Sequence, residues 1–461
     1  MTIAQQIAAF STAASWERMS AAARERLKIC VLDALGCAVG ALGARPMQIL
    51  RAHTDELGGA ARCTLIGGGR SAPDRAAFYN SALVRYIDFN DSYLGEKGTC
   101  HPSDNLGAVL AAAELADCSG RDFIAALAVA YQVQCRLTGS LPVMKKGFDH
   151  CSILAYAVAA GAARALGLDE AQTAHAVSIS GDSALSLTVT RAHPMSNWKG
   201  LAAPQTAFGC MQTTLLAMRG ITGPLHVFEG PKGFFEATGE KVDIDWTRED
   251  LEMATRVTVK RYNAEVHTQS VLEAVLDLRD RERFTADDVE QVRVEVFRVA
   301  YDITGGGAWG DRTDVRIKEE ADHSLPYMVA VAILDGQVLP EQYEAERIVR
   351  ADVQGLLHKV LVMSRYRYTR RYPDEMPCRV TVWLRDGRRL VQDKRDFEGF
   401  VTRPQPWATV QRKFERLAAP FTSAPLRREL TATVARLEEV PVRELTRLLA
   451  QAGETAARVV A

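Results

Sequence analysis

Apolar residues recur at helical spacing through most of the first 255 residues. The runs 21–44, 73–89, 103–118, 121–139 and 151–168 each carry a wide apolar face, and some are apolar nearly all round. Helices of that kind pack against one another in a large core, and their many Ala and Gly side chains allow close approach. "LIGGGRSAP" (65–73) is a turn-rich interruption, and Pro46 follows the first run. Near residue 255 the period shortens. "TRVTVKRY" (255–262), "VRVEVFRV" (292–299) and "CRVTVWLRDGRRLVQD" (378–393) alternate like strands, and Asp386-Gly387 in the last run predicts a hairpin. Helical runs at 267–280 and 324–336 lie between them. After Pro404 and Pro406 the helical period returns at 408–420 and 440–453. The pattern predicts a mainly α fold: a large all-helical domain from residues 1–265 plus 403–461, with a smaller α+β domain inserted at 266–402.

Composition narrows the setting. The chain has 461 residues, 47% hydrophobic and 25% charged, and its 56 basic and 57 acidic residues leave a net charge of −1. That balance gives no overall pull toward nucleic acid or an anionic membrane. The nine cysteines are scattered without a C-x-x-C pair, which fits a reducing compartment and no disulfide framework. The first twenty residues lack the basic and apolar regions of a signal peptide, and no run is apolar for the ~18 residues a membrane span needs. A cytoplasmic protein with no membrane partner is expected.

Candidate chemistry concentrates at helix starts. "DFNDSYLGEKGTCHPSDN" (88–105) puts Asp88, Asp91, Thr99, Cys100 and His101 into one connection between helices. With Ser103 or Asp104 as N-cap, His101 sits ahead of a helix N-terminus, where the dipole favours a neutral ring able to accept a proton. A solvated loop beside a cap is the plainer reading of any single histidine; four reactive residue types together favour a site. His150 opens another apolar helix that Asp149 can cap. In "SNWKG" (196–200), Ser196 or Asn197 caps a helix and Lys199 falls in its first turn, an anion-binding corner unless the lysine simply reaches solvent. His267 stands at a strand–helix junction near Lys260 and Arg261, and His323, Ser324 and Tyr327 begin an apolar helix with Pro326 in its first turn. The glycine runs 67–70 and 305–311 fit neither a phosphate loop nor a dinucleotide turn, and no G-x-S-x-G is present. Cys100-His101 and His150-Cys151 together raise a zinc site, with no H-E-x-x-H or C-x-x-C to support it. "SRYRYTRRY" (364–372) interleaves Arg and Tyr as single-strand nucleic-acid sites do, but on a neutral chain it reads better as a solvated strand.

"YIDFNDSYLG", "HPSDNLGAVLAAAE", "RAHPMSNWKGLAAPQTAFGCMQTTLLAMRGITGP", "KRYNAEVHTQSVLEAVLDL" and "KEEADHSLPYMVAVAILDG" resemble the MmgE/PrpD family, in order and over roughly residues 5–455. The resemblance implies an all-helical main domain, an α+β lid, a homodimer, an active site between the domains, and catalysis without metal or organic cofactor. It implies a polycarboxylate substrate and, as activity, elimination of water from 2-methylcitrate or a citrate-like hydroxy-tricarboxylate, the chemistry of propionate catabolism. Epimerisation or decarboxylation of a related polycarboxylate, as in relatives acting on iminodisuccinate or cis-aconitate, is the alternative, and a non-catalytic organic-acid binding protein is the rival of another class. Carried over by motif, the site residues are Asp91, His101, His150, Lys199, His267 and Tyr327. His101 is then the expected base, His150 or Tyr327 the acid, Asp91 the group that orients an imidazole, and Lys199, His267, Ser196 and His323 the groups that hold substrate. Cys100 beside the histidine and the basic 364–372 run depart from the family pattern, and both bear on substrate choice.

Overall fold

The computed structural model describes residues 1–453 and is mainly α-helical. Two compact units divide it. The first holds Met1–Val189, Gly200–Val257 and the segment from Pro406, and the second holds Thr190–Lys199 and Thr258–Gln405.

In the first unit, polar side chains cap several of the helices. Thr2 and Gln5 form a capping box at α1 (Ile3–Thr12), and Ser20 accepts from Ala23 N at α2 (Ala21–Gly40). Pro46 does not merely end α2. It occupies the first turn of a new helix, α3 (Arg45–Leu57), where its missing N–H has no intrahelical partner to lose. A two-residue ladder, β1 (Cys63–Thr64) with β2 (Arg70–Ser71), leads to α4 (Pro73–Tyr86). A second, β3 (Tyr93–Leu94) with β4 (Thr99–Cys100), leads through a 3-10 turn to α5 (Leu106–Leu115). Then follow α6 (Gly120–Ser140), α7 (Cys151–Ala165), α8 (Glu170–Ser183) and α9 (Trp198–Met218). The sequence pattern gave no sign of α1, α3 or α8. Nearly every residue of α5 and α7 is buried, as their all-round apolar character requires. Glycine allows helices to approach closely: a Cβ on Gly161 of α7 would lie 2.9 Å from Ala130 Cβ of α6.

The C-terminal helices Trp407–Ala418, Ala424–Ala435 and Val442–Leu449 belong to this unit. Phe414 lies against Gly36 of α2, and Lys413 Nζ meets the buried Asp33 of α2 at 2.6 Å. Among the described residues no single helix is long and apolar enough to cross a membrane.

The second unit is built on a four-stranded sheet of order β6-β5-β7-β8, from β5 (Val289–Val296), β6 (Val360–Ser364), β7 (Cys378–Leu384) and β8 (Arg389–Lys394). β5 runs parallel to β6, with Val292 opposite Val360, and antiparallel to β7, with Val292 opposite Val382. The β7–β8 hairpin turns at Asp386-Gly387, where Gly387 adopts φ +89°. Helices Gln269–Glu282 and Leu325–Asp335 pack on the sheet. Two expected strands do not form. Residues 255–262 begin in a 3-10 turn (Met253–Arg256) and continue as an extended segment, with Val257, Thr258, Val259 and Lys260 all buried, so the alternation there marks no inner and outer face. In 364–372, pairing with β5 stops at Ser364 and the chain turns into the short helix Tyr366–Thr369, placing Arg365 and Arg367 on Glu295. β6 itself carried no clear alternation and was not anticipated.

The join between α6 and the C-terminal segment is testable. A Cβ on Gly120 would sit 1.6 Å from the Leu437 carbonyl oxygen, and Gly120 N donates to Val440 O at 2.9 Å. Gly120→Ala is expected to destabilise the protein by about 3 kcal/mol or more in urea denaturation. Gly209→Ala, in α9 with nothing within 4 Å of the new Cβ, is expected to stabilise by about 0.5 kcal/mol. Equal midpoints for the two variants would mean that 437–440 does not lie on α6.

Candidate active site

The 88–105 connection is built around a buried carboxylate. α4 ends at Tyr86, and Asp88 takes a left-handed φ of +56°, a conformation Asp tolerates better than most side chains. Arg85 Nη1 holds it in place through Asp88 Oδ1 at 2.7 Å. The reversal sends Asn90, Asp91 and Ser92 inward, all buried. Asp91 Oδ1 accepts from Ser103 N (3.0 Å) and Ser103 Oγ (2.7 Å), and Oδ2 accepts from Tyr131 Oη of α6 (2.7 Å). Burial pushes this carboxyl above its ordinary range, against the pull of those three donors.

The β3–β4 ladder brings His101 back beside Ser92. His101 Nδ1 lies 2.8 Å from the main-chain oxygen of Asp91 and 3.0 Å from Ser92 Oγ. A carbonyl oxygen only accepts, so Nδ1 carries the proton and Nε2 is the basic nitrogen of the neutral ring. The main-chain oxygen of Asp91 holds the ring, while its carboxylate fastens the loop. The capping differs from the sequence reading. His101 occupies the N-cap position of the 3-10 turn Pro102–Asn105, and the Ser103 N–H is capped from across the loop by Asp91.

His150 sits at the start of α7. Its loop is clamped by Asp149 N to Ser186 O (2.8 Å) and Thr188 N to Gly147 O (3.0 Å). Asp149 Oδ1 accepts from Cys151 N at 3.0 Å and lies 3.6 Å from His150 Nε2. The His150 ring meets the His101 ring edge-on, with centroids 5.5 Å apart at 73°. The structure therefore brings Asp91, His101 and His150 together. It splits the two Cys-His neighbours of the zinc idea. Cys100 faces Cys135, whose thiol burial pushes well up, whereas Asp149, His150 and Cys151 offer three ligand atoms within 4.8 Å of one another.

In the second unit the hub is Asp322, which the sequence reading passed over inside the "ADHS" run. Its Oδ1 lies 2.8 Å from Lys199 Nζ and 2.7 Å from His323 Nδ1, and its Oδ2 lies 2.7 Å from Lys318 Nζ. Burial alone would raise this carboxyl, but Lys199 and Lys318 hold it well below the usual carboxylate range. Lys199 is in the first turn of α9, its N–H on the Ser196 carbonyl at 3.1 Å. Ser196 is exposed, and its described contribution is that main-chain bond. His267 Nδ1 meets Glu265 Oε1 at 2.7 Å and its Nε2 meets Tyr372 Oη at 3.2 Å. Burial raises the Glu265 carboxyl, and His267, His323 and Lys260 more than offset it. Tyr327 differs from expectation. It is fully buried, its N–H is capped by Ser324 Oγ at 3.0 Å, and its hydroxyl donates to the Gln342 carbonyl. Burial pushes the phenol further above its ordinary value, so its one O–H is a structural donor.

Residues 5–247 match the model of the MmgE/PrpD N-terminal domain and residues 262–439 that of the MmgE/PrpD C-terminal domain. The chain is 26% identical over 472 residues to a 2-methylcitrate dehydratase of Salmonella typhi, covering 93% of this chain and 94% of that protein. It is 26% identical to the Escherichia coli K12 protein of the same name over 464 residues, at the same coverage of each. A cis-aconitate decarboxylase of Mus musculus is 25% identical over 452 residues, covering 92% of this chain and 88% of that protein. The chain belongs to the MmgE/PrpD family.

The Asp322 hub makes a prediction about acid stability. A carboxyl whose folded pKa is depressed stabilises the fold above its unfolded value, about 3.9, and loses that contribution as pH falls through the folded pKa. Asp322→Asn removes the buried negative charge that Lys199 and Lys318 share and should cost about 3 kcal/mol or more at about pH 7. The gap between parent and variant, read from urea midpoints, should narrow steadily below about pH 4. A gap independent of pH would mean that Asp322 is not ionised in the fold.

Proposed function

We propose that this member of the family is a dehydratase that eliminates water from 2-methylcitrate or a close citrate-like hydroxy-tricarboxylate. The observation that carries the proposal is the His101 ring. Its Nδ1 is fixed on the Asp91 carbonyl, which leaves Nε2 as a base, with a second imidazole, His150, at its edge. A base and an acid of one chemical type side by side suit removal of a proton and of a hydroxyl from adjacent carbons. The names of the bacterial relatives point to the same reaction.

The steps balance. His101 Nε2 takes the proton from the carbon alpha to a carboxylate, and the freed electron pair forms the C=C bond. The C–O bond on the next carbon breaks, and the leaving hydroxide takes a proton from His150 to depart as water. Charge grows on the carboxylate next to the carbanionic carbon, and an ammonium stabilises it there. Lys199 is the residue we assign to that task. Lys199, Lys318 and His323 meet on one carboxylate, Asp322, which gathers cationic groups where an anionic substrate is to be held. We assign the acid role to His150 rather than Tyr327, whose hydroxyl is engaged by Gln342. His267 and His323 remain the proposed polar contacts to substrate, with Ser196 contributing through its backbone. Residues 266–402 serve in this reading as the family's lid domain, and the working enzyme is a cytoplasmic homodimer. The mouse relative's name supports a second reading, decarboxylation of cis-aconitate with the same groups.

Incubation of purified protein with 2-methylcitrate is expected to produce a conjugated alkene detectable by ultraviolet absorbance. Release of carbon dioxide from cis-aconitate without that alkene would favour the decarboxylase. His101→Ala should lower kcat by about 10²-fold or more with little change in KM and should abolish the acid limb of kcat/KM. Lys199→Ala should raise KM and lower kcat together. Near-normal kcat and an unchanged pH profile in His101→Ala would move the base elsewhere. Activity is also expected to survive exhaustive chelation. Release of stoichiometric zinc with loss of activity would transfer the chemistry to Asp149, His150 and Cys151.

A further inference from the structure

Arg312 is the largest fully buried side chain among the described residues. Its Nε donates to the Ile303 carbonyl at 2.7 Å, and its own carbonyl accepts from Ser324 Oγ. Its two terminal nitrogens, Nη1 and Nη2, are buried and have no hydrogen-bond partner among the described residues. Glu265, Asp322 and Glu320 are near enough to offset its charge, yet none of them bonds the fork. Their oxygens are engaged elsewhere. Glu265 serves the main chain and ring of His267, Asp322 serves Lys199, Lys318 and His323, and Glu320 Oε2 accepts from Arg316 N. Burial lowers the guanidinium to about 10, so it stays charged at neutral pH.

A buried cation with four unfilled N–H donors is costly to a fold, and among the described residues the nearby acids offset its charge without bonding the two terminal nitrogens. A planar fork fixed at Nε matches the two oxygens of one carboxylate. We infer that Arg312 is a substrate-binding residue, the fork that grips one carboxylate of the polycarboxylate, in the same unit as Lys199 and His267. The inference rests on the polycarboxylate reading above and adds a specificity-determining residue that neither the family motifs nor the sequence pattern singled out. Lys199 attracts any anion as a point charge, whereas the fork requires a planar acceptor in one orientation.

The test is calorimetric binding of three unreactive acids to the purified full chain. They are tricarballylate, glutarate (tricarballylate without its central carboxylate) and methylsuccinate (tricarballylate with one terminal carboxylate replaced by hydrogen). Arg312→Gln should weaken tricarballylate by about 10²-fold, and Arg312→Lys by about 10-fold. One of the two diacids, the one lacking the gripped carboxylate, should bind parent and variants alike. Equal weakening of all three acids, or no weakening, would overturn the assignment, because a structural arginine does not single out one carboxylate. If Arg312→Gln fails to fold, Arg312→Lys carries the same comparison. Binding through Arg312 without turnover of 2-methylcitrate would refute the dehydratase and keep the fork. Turnover with all three acids insensitive to Arg312 would refute the fork and keep the dehydratase.

Discussion

The Asp91 carboxylate is the constraint on which the helical unit's chemistry depends. It is fully buried, and three donors from two elements converge on it: Ser103 N, Ser103 Oγ and Tyr131 Oη. A buried carboxylate that loses donors pays a large desolvation cost, so loop and helix α6 must keep their mutual position. That fixes the Asp91 carbonyl, and the carbonyl fixes the His101 ring. Neighbouring bonds tighten the same loop. Asn90 Nδ2 donates to Ser103 Oγ at 2.9 Å, and Lys413 Nζ donates to Phe89 O at 2.7 Å while paired with Asp33. A lysine more than three hundred residues away in the chain thus helps set the geometry of one imidazole.

Asp322 organises the second unit by a different physics. Asp91 is held by neutral donors, which shape a loop without adding charge. Asp322 is held by two ammonium groups and an imidazole, so its network is built from charged groups. The first arrangement suits a ring that must keep one tautomer. The second suits recognition of an anion, because attraction between charges tolerates variation in position.

The long helices were legible because their apolar faces are wide and recur at helical spacing within one stretch of chain. The β7–β8 hairpin was legible for the same reason, its turn residues being adjacent. Alternation failed where burial surrounds the chain: at 257–260 both sides of the backbone are covered, so period two carries no face. The candidate residues were visible as types, but their partners were not. Lys199 and Asp322 lie 123 residues apart, and Asp91 and Tyr131 lie 40 apart. No spacing rule links them, because the contact exists only after the helices have packed. Tyr327 shows the reverse error. A tyrosine in a helix's first turn looks available in sequence, and folding commits its hydroxyl to a carbonyl fifteen residues on.

Compensation separates the buried cations into kinds. Lys199 has a carboxylate at 2.8 Å, so in the proposed reaction a substrate carboxylate competes with Asp322 for the ammonium and gains only the difference. On that proposal, ground-state attraction is weakened, and the ammonium responds as carbanionic charge develops, when the substrate becomes the stronger partner. Arg312 has charge compensation from acids nearby but no bonded acceptor on its fork, so a carboxylate there gains hydrogen bonds without displacing a partner. Under the proposed roles, binding strength and catalytic response are carried by different cations: the Arg312 fork favours the ground state, and the shared Lys199 ammonium favours the transition state.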